Sequence, residues 1–311
     1  MRRLRLSPAG YRRVSLGALG ALAVIVVSGG AVRLTGSGLG CPDWPNCDDG
    51  RLVAPLEYHA MVEFVNRTVT GVVSVAVIVA VLAALARRPR RPDLVRLALG
   101  LVAGVAGQIV LGGLTVLFEL RPPFVMAHFL LSMVIVANAV ALHWRAGLAD
   151  GDLPRSPGVS PAVRSLGRTV LAIAALVVFL GTVVTAAGPH GGDEDVPRLD
   201  VPIGGAARLH GLAVVLLLAA VVALLVLLAR EGAAPQHRRR GRVLLAVLVA
   251  QAGVGYVQYF TGVPVLLVGI HIAGATAAWA TAVRFQLGLA DRGPAPRRAP
   301  AAEDDAVLAP A

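Results

Sequence analysis

The chain is predicted to be an all-α polytopic membrane protein, with eight transmembrane helices arranged as two pseudo-symmetric four-helix bundles. Three observations predict this. Of 311 residues 56% are hydrophobic and the mean hydropathy is +0.73. The apolar residues fall into eight blocks of roughly 20, the length a helix needs to cross about 30 Å of hydrocarbon. The third observation is a repeat. Gln108 to His128 (QIVLGGLTVLFELRPPFVMAH) and Gln251 to His271 (QAGVGYVQYFTGVPVLLVGIH) share one plan, with Gln first, a Gly-containing apolar run, a Pro-marked break and His last, and 20 positions separate Gln from His in each.

The first block, Val14 to about Val32, follows the basic start MRRLRLSPAGYRR. A signal peptide begins in this way, but the run is long and seven more follow, so it is expected to be a retained helix. The other spans centre on 60–86, 94–118, 123–145, 166–187, 206–229, 241–260 and 264–287. Residues 1–146 form the N-terminal half, 147–165 a linker containing Asp, Pro, Gly and Ser, and 166–290 the C-terminal half. The tail, 291–311, is rich in Pro, Ala and Arg and is expected to be disordered.

Arginine sets the orientation, since the chain has no lysine. Twenty-three of the 29 arginines belong to the N-terminus, the loops after spans two, four and six, and the tail. By the positive-inside rule both termini face the cytoplasm, and the connections at 35–59, 119–122, 188–205 and 261–263 face outward from the plasma membrane. The basic residues punctuate the spans and form no continuous patch, so the lipid bilayer is the expected partner of this surface and nucleic acid is not.

Polar groups inside hydrocarbon are costly and ask for a reason. His128, His210 and His271 stand in spans four, six and eight, which run from outside inward, at roughly 6–11 Å below the outer surface. Two helices at equal depth can offer one imidazole each to opposite faces of a planar group, as a haem iron requires. Interhelical hydrogen bonding and a proton relay are the competing uses of such histidines. His210 and His271 are 61 residues apart; counting back 62 from His128 lands on Asn66, where the expected partner ligand is missing. His59 stands seven residues earlier on nearly the same face, and Glu63 lies one turn from each. His59 is therefore the candidate replacement ligand, and Glu63, Asn66 and His59 around an open position beside His128 suit a reacting substrate. On the competing reading His59 is an interfacial loop residue and Glu63 pairs with Arg67.

Arg67 and Arg208 lie beside the two ligand positions and suit either haem propionates or lipid phosphates. Gln108, Gln251 and Gln258 suit bridges between helices. His143, His190 and His237 are expected to be solvated. Cys41 and Cys47 are the only cysteines and bracket PDWPN in the first outer loop, so a disulfide is expected there, as a staple or as an electron carrier. No CxxCH haem-attachment motif occurs.

These residues together resemble a known family. GGAVRLTGSGLGCPDWPNC, the ExxNR of Glu63 to Arg67, GGLTVL with the following His128, GPHGGD at 188–193, RLHG around His210 and the Gln251 to His271 segment are similar to haem A synthases of the CtaA type, in their actinobacterial form. The resemblance covers nearly all of 14–287. It implies a membrane oxidoreductase that converts haem O to haem A by successive hydroxylations of the C8 methyl group to a formyl, for cytochrome c oxidase. It also implies that His210 and His271 ligate a resident haem b iron, that His128 ligates the iron of the substrate haem, that Glu63 is the essential glutamate of span two, and that Cys41 and Cys47 are the first-loop disulfide. Two departures stand out. Many members have ExxHR, and many carry a second cysteine pair in the third outer loop, where 188–205 has none. A haem O synthase and an electron donor are the implied partners, and homo-oligomerisation is left open. The alternatives are a non-catalytic membrane cytochrome b working between a quinone and an outer partner, and a proton-coupled transporter.

Overall fold

The computed structural model describes residues 5–48, 50–150 and 158–290. Among them are eight helices, each long and apolar enough to cross a membrane: α1 (Pro8–Leu34), α2 (Tyr58–Ala86), α3 (Pro92–Leu117), α4 (Pro122–Ala146), α5 (Pro161–Ala187), α6 (Ile203–Arg230), α7 (Pro235–Phe260) and α8 (Val265–Ala290). The eight predicted spans are all present. Five helices start at a proline, whose fixed φ suits the first turn and whose missing N–H has no helical partner to lose. Ser7 and Ser160 cap α1 and α5, accepting from the N–H of Gly10 at 3.1 Å and of Val163 at 3.2 Å. Helix α5 starts at Pro161 and α7 at Pro235, ahead of the hydropathy blocks at 166 and 241, because these caps and prolines set the boundary before the apolar run begins. The linker is thus partly helical. The tail at 291–311, expected to be disordered, lies outside the described residues.

Helices α1–α4 close a ring of neighbours, as do α5–α8, and the rings meet where α1 and α4 pack on α8 and α4 on α5. Within each ring α2 and α4, and α6 and α8, stand on the diagonal and do not touch. Each ring is packed solid at one end only. In the first, Tyr11, Val77, Leu94, Leu101 and Leu142 form the core; in the second, Val163, Leu224, Leu228, Leu244 and Leu289. Both cores lie at the arginine-rich end, where α1 starts and α2 ends. That end is also tied by polar contacts: Arg87, fully buried, bonds Asp150 at 2.7 Å, and Arg88 N–H donates to the Leu6 carbonyl at 3.1 Å.

The opposite end carries the disulfide loop, and there the two rings are laced by single bonds. Gly38 N–H donates to the Gly192 carbonyl at 2.8 Å and Arg33 Nη2 to the Thr185 carbonyl at 2.6 Å; within the second ring, His190 Nε2 lies 2.9 Å from the Val263 carbonyl and ties the loop after α5 to the turn before α8. Midway, Trp279 Nε1 donates to the Met133 carbonyl at 2.8 Å. The surface around the middle of the helices is apolar, with Val72, Val134 and Leu216 exposed, as expected of a protein whose solvent there is lipid.

Three histidines depart from expectation. His237 is buried, 5% exposed, at the start of α7. His190 is the loop staple just described. His143 Nδ1 lies 3.1 Å from the hydroxyl of buried Ser15, joining α4 to α1. Their sequence neighbours are polar enough to suggest solvent; tertiary packing buries His237 and leaves His143 and His190 half-buried.

Candidate functional site

The histidines of α4, α6 and α8 sit in the less filled ends of the rings. In the second ring His210 Nδ1 lies 3.1 Å from the Val177 carbonyl of α5. A carbonyl only accepts, so Nδ1 carries the proton and Nε2 keeps its lone pair, the arrangement found in metal-ligating imidazoles. One turn beyond Val177, Gly181 makes room for the ring: a Cβ there would lie 3.3 Å from His210 Cε1. His271 rests on Gly255 of α7 in the same way, where a Cβ would come within 3.0 Å of its Cε1. Gln251 Nε2 reaches the His271 carbonyl at 2.8 Å and Nδ1 at 2.9 Å. With the amide placed so, Nδ1 accepts; turning the amide to offer Oε1 to an Nδ1–H would give up the bond to the carbonyl. His210 and His271 stand on the diagonal helices of one ring. Two imidazoles with supported rings on diagonal helices are a donor set that suits the two axial positions of a haem.

The first ring repeats half of this. His128 of α4 rests on Gly112 of α3, where a Cβ would lie 3.2 Å from its Cε1. Gln108 Nε2 donates to the His128 carbonyl at 3.0 Å and also meets the Ser132 hydroxyl. His128 Nδ1, however, is buried with no hydrogen-bond partner among the described residues. On the diagonal helix α2, Asn66 Oδ1 accepts from Ser28 Oγ of α1 at 2.8 Å. His59 lies elsewhere: it is exposed at the start of α2, its Nδ1 2.9 Å from Ser37 Oγ and its ring edge-on to Tyr58. Seven residues of helix, about 10 Å, separate it from the level of Asn66. The structure therefore ties His59 to the outer loop and does not bring it to the ligand position opposite His128.

Glu63 and Arg67 form a clamp under the disulfide loop. Cys41 and Cys47 are bonded. Glu63, 5% exposed, accepts at Oε2 from the Cys41 N–H at 2.8 Å and at Oε1 from Arg67 Nε at 3.1 Å and Nη2 at 2.6 Å. Arg67 also donates to the carbonyls of Asp43 at 3.1 Å, Asn46 at 2.8 Å and Cys41 at 2.9 Å. These contacts occupy all five of its N–H groups, so none is left over for a propionate. Arg208, by contrast, is exposed. The loop so held lays Trp44 against α3, where a Cβ on Gly113 would fall 2.6 Å from the indole, next to the glycine that backs His128.

Sequence reasoning singled out the three histidines, anticipated the disulfide and the bridging by Gln108 and Gln251, and held the Glu63–Arg67 pairing as its competing reading; Gln258 Oε1, also expected to bridge, has no partner among the described residues. Sequence reasoning missed Ser28 and the three glycines behind the rings. The recurring i to i+16 spacing of Gly112 to His128 and Gly255 to His271 was a usable signal.

Comparison with known proteins adds the following. The family COX15-CtaA, described as cytochrome oxidase assembly protein, matches residues 12–189. A protein named Heme A synthase from Symbiobacterium thermophilum is 31% identical over 260 residues, covering 78% of this chain and 84% of its own. Proteins of that name from Lysinibacillus sphaericus and Shewanella oneidensis are each 27% identical, over 121 and 141 residues, covering 38% and 39% of this chain and 39% and 41% of their own.

Proposed function

Because the chain belongs to the COX15-CtaA family of cytochrome oxidase assembly proteins, we propose that it is a haem A synthase, a membrane oxidoreductase that oxidises the C8 methyl group of haem O to the formyl of haem A. The observation that carries this reading beyond family membership is the inequality of the two rings. The second has two supported imidazoles on diagonal helices, His210 and His271, and suits a haem b that is held. The first has His128 alone, with Asn66 on the diagonal helix, and suits a haem that enters, reacts and leaves. A non-catalytic cytochrome b calls for two equivalent sites, and Asn66 removes that equivalence.

When bound, the haem irons supply the redox chemistry, and the protein supplies position and a dry surround. His210 and His271 would hold haem b, and His128 would hold the iron of the substrate haem. The solid cores below the histidines close the arginine-rich end of each ring to water. Glu63 acts through Arg67: the pair holds the disulfide loop, and with it Trp44, over the first ring. Arg208 is the cation available to a propionate of haem b. Haem O arrives from a haem O synthase and electrons from an outside donor, at the plasma membrane with both termini cytoplasmic.

The test is co-expression with a haem O synthase in a host that makes no haem A, followed by extraction and chromatography of the haems. Appearance of haem A is expected; haem O alone would refute the assignment.

A further inference from the structure

In the second ring the Val177 carbonyl of α5 receives the Nδ1 proton of His210, and Gly181, four residues on, backs the ring. In the first ring α1 presents the same pair of features, Ile25 and, four residues on, Gly29. There the Ile25 carbonyl is approached by Ser28 Oγ at 3.2 Å, and the same hydroxyl meets Asn66 Oδ1 at the shorter distance of 2.8 Å. A Cβ on Gly29 would meet no atom within 4 Å, so the space that the imidazole fills beside Gly181 is open beside Gly29. A cavity of about 490 Å³ lies between α1 and α2 at the Ser28–Asn66 bond, lined by Ser28, Ala31, Val62, Val65, Asn66 and Val69 among others. It is mostly apolar, and Val65, 53% exposed, lies at its lipid-facing side.

The chemistry of an amide differs from that of an imidazole. With Oδ1 engaged by Ser28, Asn66 has its NH₂ group, a donor with no lone pair for a metal, left to face the cavity; no hydrogen bond to that group occurs among the described residues. Building on the proposed function, we infer that the first ring binds its haem through His128 alone, and that Ser28 and Asn66 form a distal pair whose amide N–H meets a neutral diatomic molecule at the opposite axial position. Such a molecule partitions into hydrocarbon and reaches the position from the lipid side of the α1–α2 cavity. Asn66 thus sets what binds at the open position, and Ser28 is a positioning residue that fixes which end of the amide is presented.

Carbon monoxide is the probe. The full-length protein is purified from a host making haem O but held without oxygen, reduced, and titrated with carbon monoxide while the optical and infrared spectra are followed. One of the two haems, the haem O, should bind the probe. Asn66→His, whose Nδ1 can take the Ile25 carbonyl as His210 takes that of Val177, should turn that haem low-spin and abolish binding. Asn66→Leu should retain binding but raise the C–O stretching frequency, because the N–H donor is lost; Ser28→Ala should broaden or split the band. A haem O that ignores carbon monoxide in the parent protein, or a stretching frequency unmoved by Asn66→Leu, would overturn the distal pair. Absence of haem O from every variant, with haem b retained, would instead remove the reading of the first ring and this inference with it.

Discussion

Gly112, Gly181 and Gly255 perform one task at three places, each giving an imidazole the room that a side chain would fill. Overpacking such a site costs about 1–3 kcal/mol, or roughly tenfold or more in ligand retention. Gly181→Val and Gly255→Val should therefore lose most of the haem b absorbance per chain, and Gly112→Val should leave it intact while haem O binding fails. Absorption spectra of the three purified variants check this. Gln251→Leu removes the contacts to both the ring and the carbonyl of His271. At about 1 kcal/mol per bond, about 2 kcal/mol for the two, it should lower haem b retention by roughly thirtyfold, measured by transfer to apomyoglobin. The histidines and glutamines were legible in the sequence because polar residues stand out in an apolar helix. The glycines were not, since an apolar span holds many and only three-dimensional contact tells a ring-backing glycine from a neutral one. Ser28 was hidden for a related reason: a serine in a membrane helix usually bonds its own backbone, and its second contact, to Asn66, crosses between helices.

The start of α2 and the loop before it work as one element. Glu63 is the joint: its carboxylate takes the Cys41 N–H on one oxygen and the guanidinium of Arg67 on the other. Glu63→Ala leaves the buried N–H and part of the guanidinium unpaired, a loss of about 3–5 kcal/mol for a buried pair. It should abolish haem A formation while leaving the haem b spectrum, because the clamp lies over the first ring only. Arg67→Ala strips donors from three loop carbonyls and should speed reduction of the Cys41–Cys47 bond by dithiothreitol, followed by thiol labelling; an unchanged rate would count against the clamp. The helices themselves were legible to within a few residues at most ends, since hydropathy marks the spans and proline marks their starts. Where the ends moved, at Pro161 and Pro235, a proline in the first turn, joined at α5 by the Ser160 cap, and not hydropathy decided the boundary. His59 illustrates the converse limit: helical periodicity places it on the face of Asn66, but the bond to Ser37 draws its ring to the loop.

At the scale of the molecule, both rings are solid at the arginine-rich end and open at the disulfide end, and the two are joined by few specific bonds, Trp279 to Met133 and Arg33 to Thr185 among them. The repeat of Gln to His over 20 positions made the two halves legible, because in each the glutamine bonds the carbonyl of the histidine across a helix pair. The contacts between halves were not legible, since they link loops and helix ends with no shared period. The account rests on the division of labour between the rings: a closed site with two imidazoles and an open one with a single imidazole. Its most direct test is the haem content of the protein purified from a host that makes haem b but no haem O, compared with single variants at the three histidines. One tightly held low-spin haem b per chain is predicted, lost in His210→Ala and in His271→Ala and kept in His128→Ala. Retention of that haem in His210→Ala together with its loss in His128→Ala would contradict the account.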